Sequence, residues 1–115
     1  MRVIIAGSRT IDDPSVLKEV FVYCGWDITT VVSGTARGAD RLGEEWAEKH
    51  DIPVLRFPAD WNRHGRKAGF IRNTEMAKNA DALIALWDGK SRGTAHMINI
   101  ARQNNLAVHI HNVEH

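Results

Sequence analysis

The sequence has a single cysteine, Cys24, among its 115 residues. One cysteine excludes an internal disulfide and favours a reducing compartment, so we expect a cytoplasmic protein in which Cys24 is a small buried apolar residue. No apolar run approaches the roughly 20 residues that a membrane-spanning helix needs, and no membrane partner is expected. Residues 1–6 are too short for the core of a signal peptide and have the composition of a first strand.

An excess of charge and the standard dinucleotide motifs are also missing. The formal net charge is +1, which gives no global reason to expect a nucleic-acid or membrane partner. The chain has neither G-x-G-x-x-G nor a Walker A lysine, so it does not match a dinucleotide oxidoreductase or a P-loop protein. With 43% hydrophobic and 25% charged residues, the chain has ordinary globular composition and is long enough to bury the core of one domain.

Segments with strand character and segments with helix character alternate along the chain. Buried β-type runs predict strands over residues 2–6, 29–33, 53–57, 82–87 and 106–110. Caps and helical spacing predict helices over about 14–23, 38–49, 66–79 and 94–104, with a loop over 58–64. In the second helix, Glu44 is among the residues expected to face solvent. This order predicts a single Rossmann-like, doubly wound α/β domain with a five-stranded, mainly parallel sheet.

Glycines cluster in the loops that follow the first, second and fourth predicted strands. They are Gly7, Gly34, Gly38, Gly89 and Gly93. Each glycine alone could serve only a tight turn. Because ligands bind beyond the carboxyl ends of the strands in such sheets, three glycine-containing loops at this edge favour a ligand site.

The same three loops contain groups suited to bind an anion. Gly7-Ser8-Arg9 combines close backbone approach, a hydroxyl and a guanidinium group. Residues 33–38 lead directly into a helix whose free N–H groups and dipole favour negative charge, and residues 91–94 do the same for the last helix. The residues therefore predict a phosphate-bearing ligand.

A resemblance to the YspA-like branch of the SLOG superfamily runs through nearly the whole chain. It is carried, in order, by MRVIIAGSR, VVSGTARGADRLGEEWA, FPADW, GFIRNTEMAKNADALIALWDG and SRGTAHMI. The resemblance implies a domain that binds a nucleotide or a nucleotide-derived ligand such as AMP or ADP-ribose, as a sensor or in nucleotide processing, and it implies a homodimer. Relatives include the Lonely-guy phosphoribohydrolases, which release the base from nucleoside 5′-monophosphates, and the DprA proteins, which bind single-stranded DNA.

The resemblance assigns ligand-binding residues motif by motif. They are Gly7, Ser8 and Arg9 in the first loop, Ser33, Gly34, Gly38 and Asp40 in the second, Arg72 and Asn73 on the helix that positions the sugar phosphate, and Gly93 and Thr94 in the phosphate loop. Trp87, Asp88, Gly89 and Ser91 complete the predicted set, with Trp87 and Asp88 placed to touch the ribose or base.

Three of these residues have a second interpretation. Asp88 could accept from ribose hydroxyls, as an acidic residue does in other Rossmann sites, or initiate a turn before a glycine. Asp40 could touch the ligand or merely favour the helix dipole. Arg72 could bind the phosphate or remain a solvated surface residue.

The sequence leaves binding and hydrolysis open. Lonely-guy enzymes carry a catalytic Glu three residues after the Gly-Thr threonine, where this chain has Met97. We therefore favour a ligand-binding or sensing domain over a phosphoribohydrolase, with Asp88, Asp40 and Arg72 as catalytic candidates for the second function. His96, beside the phosphate loop, could act as an acid or base or only support the site.

Residues 56–72 suggest a third function, the binding of single-stranded nucleic acid. They hold five basic residues against Asp60, interleaved with Phe57, Trp61 and Phe70, as in a stacking platform. Trp61 could equally cover the core. Because the positive charge is confined to one loop and helix, it suits a di- or polyphosphate better than a long polymer.

Neither a metal nor a cofactor is expected. His109 and His111 alternate on the last strand and so share a face, which permits a metal pair. No third ligand has a clear spacing, so no metal site is predicted.

Overall fold

The computed structural model describes residues 1–113, except for the side chains of residues 19 and 21–24. The prediction for Cys24 therefore lies outside the described side chains. None of the helices in the described part of the chain is long and apolar enough to cross a membrane.

Five strands form one sheet in which every neighbouring pair is parallel. They are β1 (Arg2–Gly7), β2 (Thr30–Ser33), β3 (Val54–Arg56), β4 (Ala82–Trp87) and β5 (Ala107–Asn112), in the spatial order β3-β2-β1-β4-β5. The helices are α1 (Ser15–Cys24), α2 (Ala39–Lys49), α3 (Trp61–His64), α4 (Ala68–Lys78) and α5 (Arg92–Gln103), with a 3₁₀ turn at Gly65–Lys67. The predicted Rossmann-like α/β fold is confirmed.

Each face of the sheet carries its own hydrophobic core. Successive side chains of a strand point to opposite faces, so Val3 and Ile5 of β1 belong to one core and Ile4 to the other. The first core includes residues of α1 and α2, and the second includes residues of α4 and α5. Strands β1 and β4 are nearly unbroken apolar runs because helices cover both of their faces.

The strand order reverses beside β1. The chain runs outward from β1 to β2 and β3, and then crosses back to place β4 on the other side of β1. The connections therefore leave β1 and β4 in opposite directions, which opens a crevice at their carboxyl ends. The loops after β1, β2 and β4 all border this crevice.

Several predicted boundaries differ from the structure by one or two residues, among them the start of α4 and the end of β5. Two differences at helix starts have a clear cause. Residues 61–64, predicted as loop, form α3, because the Asp60 carboxylate caps this turn by accepting from the Arg63 N–H at 3.1 Å. Helix α5 begins at Arg92 rather than near Thr94, because the Ser91 hydroxyl caps it by accepting from the Thr94 N–H at 3.4 Å. In both places an N-cap side chain sets the start of the helix.

Candidate functional site

A cavity of about 330 Å³, here called the strand-edge cavity, lies at the carboxyl ends of β1 and β4. Most of the residues predicted to bind ligand line it: Gly7, Ser8, Arg9, Asp40, Arg72, Asn73, Asp88, Ser91, Gly93 and Thr94. They come from the end of β1, from the loops after β1 and β4, and from α2, α4 and α5, and the fold brings them together at the point where the strand order reverses.

Five predicted residues are not among those that line the strand-edge cavity: Ser33, Gly34, Gly38, Trp87 and Gly89. Ser33 is fully buried, donates to Glu44 Oε2 at 2.8 Å and accepts from the Thr35 N–H at 3.1 Å. Gly38 has φ +76°, and a Cβ there would lie 2.3 Å from the Ser8 carbonyl oxygen. In the structure, these two residues shape the loop after β2.

Trp87 supports the loop after β4. Its indole N–H donates to the Ser91 carbonyl oxygen at 3.1 Å, and its ring packs against the core on the α4 and α5 side. Gly89 has φ +80° at the exposed tip of the same loop. The structure therefore gives Trp87 a scaffolding contact, for which the sequence carries no signal.

Asp88 closes the loop after β4 and also lines the cavity. Its Oδ1 accepts from the backbone N–H of Lys90 at 2.8 Å and of Ser91 at 2.9 Å. These two bonds lower the pKa of Asp88, so its carboxylate is ionised at neutral pH. The turn geometry that the sequence permitted is therefore present in the structure, and it leaves a negative charge at the cavity wall.

Ser8 places a hydroxyl at the same wall. Its Oγ is buried and forms no hydrogen bond with the described residues, although it lies near enough to Asp88 to make a smaller contribution to that lowered pKa. A buried hydroxyl without a partner is uncommon, because leaving it unsatisfied is unfavourable. Ser8 thus places hydrogen-bonding capacity beside Asp88 at the cavity wall.

Arg72 joins the loops rather than lying on a solvated surface. Its Nη1 donates to the Gly34 carbonyl oxygen at 2.6 Å, and its Nε donates to Asn73 Oδ1 at 3.1 Å. Burial lowers the pKa of Arg72, although the nearby Asp40 raises it. A Cβ at position 34 would lie 2.8 Å from both Arg72 Nη1 and Asp40 Oδ2, which is why a glycine is needed there.

Asn73 links Arg72 to α5 through hydrogen bonds. Its Nδ2 lies 3.3 Å from the Gly93 carbonyl oxygen and 3.2 Å from His96 Nδ1. Because a guanidinium group only donates, Asn73 must turn its oxygen to Arg72 and its NH₂ to His96. His96 Nδ1 is therefore an acceptor, and the neutral ring carries its proton on Nε2.

His96 belongs to the support of the site. Burial lowers its pKa, and its ring packs against that of Phe70, with centroids 4.3 Å apart. It is not among the residues that line the strand-edge cavity.

Asp40 is almost completely buried at the base of the cavity. Its Oδ2 accepts from the Ala36 N–H at 3.1 Å. Burial raises the pKa of Asp40 to about 6, although the Ala36 N–H and the charge of Arg72 act in the opposite direction. The cavity thus contains two carboxyl groups, of Asp40 and Asp88, whose surroundings shift their pKa values in opposite directions.

Glu44 does not face solvent as predicted. Its carboxylate accepts from Ser33 Oγ on β2 and, at 2.6 Å, from Arg56 Nε on β3, so it joins α2 to two strands. The prediction was wrong because helical periodicity cannot show which acidic residue finds a partner in the sheet. Glu44 lies one turn after Asp40 on the same helix face, but this spacing does not show that its carboxylate reaches the sheet.

The metal pair has no support in the described residues, which contain no group of three or more His, Cys, Asp or Glu side chains able to hold a metal ion. Met97, which the resemblance places at the position of the Lonely-guy glutamate, is buried and lines the strand-edge cavity.

Trp61 is 53% exposed and does not cover the core.

Comparison with known proteins gives two findings. Residues 1–64 match the model of the YspA, cpYpsA-related SLOG family. The Gene 61 protein of Mycobacterium phage D29 is 34% identical over 116 residues, with 93% of each chain covered.

Proposed function

The chain belongs to the YspA, cpYpsA-related SLOG family, and from this premise we propose that it binds a nucleotide of the AMP or ADP-ribose type in the strand-edge cavity. Membership of the family points to a nucleotide-related Rossmann-like domain. The residues that line the cavity include groups suited to a phosphate and groups suited to a ribose.

The groups suited to a phosphate lie at the first turn of α5. Ser91, Gly93 and Thr94 line the cavity there, and Arg9 contributes a guanidinium group. The N–H groups and the dipole of a helix start favour an anion. The observation that carries the proposal is the open space at Gly93, where an added Cβ would meet no atom within 4 Å. The protein's own packing does not require this glycine, which leaves room in front of the helix.

The groups suited to a ribose are those of Asp88 and Ser8. An ionised carboxylate accepts hydrogen bonds from vicinal hydroxyls, and the buried Ser8 hydroxyl supplies a further donor or acceptor. The cavity volume of about 330 Å³ lies at the small end of the range for ligand pockets and suits a mononucleotide unit.

The test is a thermal shift and titration with AMP and ADP-ribose on wild type and Gly93→Val. A ligand that binds only the native state adds RT ln(1 + [L]/Kd), roughly 2.7 kcal/mol at a hundredfold excess over Kd. We expect a shift in wild type and none in Gly93→Val, whose side chain fills the space before the helix. Asn99→Val, an exposed position on the same helix, is the matched control. Normal binding by Gly93→Val would place the phosphate elsewhere.

Hydrolysis of a nucleoside 5′-monophosphate is a second candidate function, favoured by the paired carboxyl groups. Sites that hold a protonatable and an ionised carboxyl group are suited to acid and base roles, and the surroundings of Asp40 and Asp88 separate their pKa values in this way. Met97 weighs against it, because a thioether cannot hold charge.

Incubation with AMP, followed by chromatography for adenine and ribose 5-phosphate, tests this second function. Turnover that disappears in Asp88→Asn and persists in Asp27→Asn, an exposed control, would establish it. No released base in wild type would leave binding as the function.

A further inference from the structure

A second cavity of about 260 Å³, here called the arginine cavity, opens beside the first. It lies between the loop after β2 and the segment that leads into α3. Arg9, Ala36 and Arg72 line both cavities, so the two spaces adjoin across these side chains. A ligand longer than the strand-edge cavity would reach the second space at Arg9 and Arg72.

The two cavities differ in charge. The strand-edge cavity sets Arg9 and Arg72 against Asp40 and Asp88, whereas the arginine cavity adds Arg37 and has no acidic residue among those that line it. Three positively charged residues, Arg9, Arg37 and Arg72, thus border one space, and an anion bound there would offset the repulsion between their charges. A second phosphate is the anion that planar guanidinium groups bind best.

The guanidinium groups of Arg9 and Arg37 are available for such an anion. Neither side chain forms a hydrogen bond or an ion pair within residues 1–113, in contrast to Arg41, which pairs with Glu45, and Arg56, which pairs with Glu44. Both Arg9 and Arg37 are exposed.

Trp61 adds an aromatic wall. Its indole is 53% exposed and lines the arginine cavity, close to Gly69 of α4, where an added Cβ would lie 3.7 Å from the ring. An aromatic face that is fixed on a capped turn and left open to solvent offers a surface on which a sugar or a base can pack.

We infer that the arginine cavity is a second subsite, which binds the second phosphate of a diphosphate-containing nucleotide and packs the group attached to that phosphate on Trp61. The inference rests on the proposed function, because the first nucleoside unit must occupy the strand-edge cavity. It assigns the ligand class: a nucleoside diphosphate or a sugar linked through a diphosphate, rather than a nucleoside monophosphate.

Titration calorimetry with AMP, ADP and ADP-ribose tests this assignment. We expect ADP and ADP-ribose to bind wild type about tenfold more tightly than AMP, because the second phosphate gains charge-assisted hydrogen bonds. Arg37→Gln should remove most of that difference and leave AMP binding unchanged, since Arg37 is not among the residues that line the strand-edge cavity. Trp61→Ala should weaken ADP-ribose more than ADP. Arg41→Gln, an exposed arginine that lines neither cavity, should change nothing.

Several results would overturn the inference. If AMP binds and ADP and ADP-ribose bind no better, or if Arg37→Gln weakens AMP as much as ADP-ribose, the second subsite fails while the proposed function stands. If none of the three nucleotides binds, both fail. If a short single-stranded oligothymidylate binds more tightly than ADP-ribose and loses affinity in Trp61→Ala, the aromatic wall serves nucleic acid instead.

Discussion

Two loops lead into helices at the ligand edge of the sheet, residues 34–38 after β2 and residues 88–91 after β4. The second loop is held by its own residues: Asp88 accepts from two backbone N–H groups ahead of it, and the Ser91 hydroxyl caps α5. The first loop also has local bonds, from the Thr35 N–H to Ser33 Oγ and from the Ala36 N–H to Asp40 Oδ2, but it is held from outside as well. Its Gly34 carbonyl accepts from Arg72, which lies 38 residues further along the chain.

The loop after β4 is therefore held by contacts between residues close in sequence, whereas the loop after β2 also depends on a contact with a distant helix. The loop after β2 rests on a buried carboxyl group, on a guanidinium group from α4 and on Thr35, which adopts φ +63°. This backbone conformation is costly for a β-branched residue. The loop after β4 has its carboxylate in partial contact with solvent. Changes in pH, in side-chain size and in backbone freedom should therefore affect the two loops differently.

The largest expected difference is in the response to pH. The folded state binds the Asp40 proton more tightly than the unfolded chain does, so the free energy of unfolding falls as the pH rises from 3.8 to about 6, by on the order of 3 kcal/mol. In Asp40→Asn this loss is absent. Urea unfolding of wild type and variant at several pH values between 4 and 8 measures it as the difference between the two proteins.

Asp88→Asn is the control, because its effect on stability should change only below the ordinary aspartate pKa of about 4, outside the range in which Asp40 titrates. Because the pKa of Asp88 is lowered, its contribution to stability is present above the unfolded pKa and is lost as the pH falls through the folded pKa. A stability difference between wild type and Asp40→Asn that stays constant over this pH range would contradict the buried state of Asp40.

Side-chain size gives the next comparison. Gly34→Ala should destabilise the fold by about 1–3 kcal/mol, because the new Cβ forces apart Arg72 Nη1 and Asp40 Oδ2, both 2.8 Å away. Gly93→Ala, with no atom within 4 Å, should be neutral or stabilise α5 by up to about 1 kcal/mol. Chemical denaturation of both variants checks this, and equal effects would remove the distinction between the loops.

Backbone freedom gives the smallest effect. Thr35→Gly should raise the free energy of unfolding by about 1 kcal/mol, because glycine adopts positive φ without steric cost. The control is Asn105→Gly, at φ +60° and outside both cavities, where the gain should be smaller since asparagine tolerates this conformation. Thermal unfolding compares the two variants. A loss of stability in Thr35→Gly would show that its side chain contributes more than its backbone costs.

The same contrast explains what could be predicted from the sequence. The apolar strands, the Asp-Gly turn and the glycine-containing helix starts are local patterns, and they predict the sheet, the loop after β4 and the edge that carries the cavity. The burial of Asp40, the contact between Arg72 and Gly34 and the role of Glu44 join residues from separate elements. No spacing in the sequence encodes them. Helix α3 was missed because a single cap stabilises four residues.

The hydrogen bonds from Arg72 through Asn73 to His96 run in one direction only. Each hydrogen bond along this path is donated toward His96. Arginine can only donate, so its N–H fixes the orientation of the Asn73 amide. His96 Nε2, on the side of the ring away from Asn73, therefore carries the proton. Protonation of Nδ1 would place its N–H against the NH₂ group of Asn73, so that two donors would face each other. His96 is built to give a hydrogen bond outward and is poorly suited to remove a proton from a substrate or a water molecule.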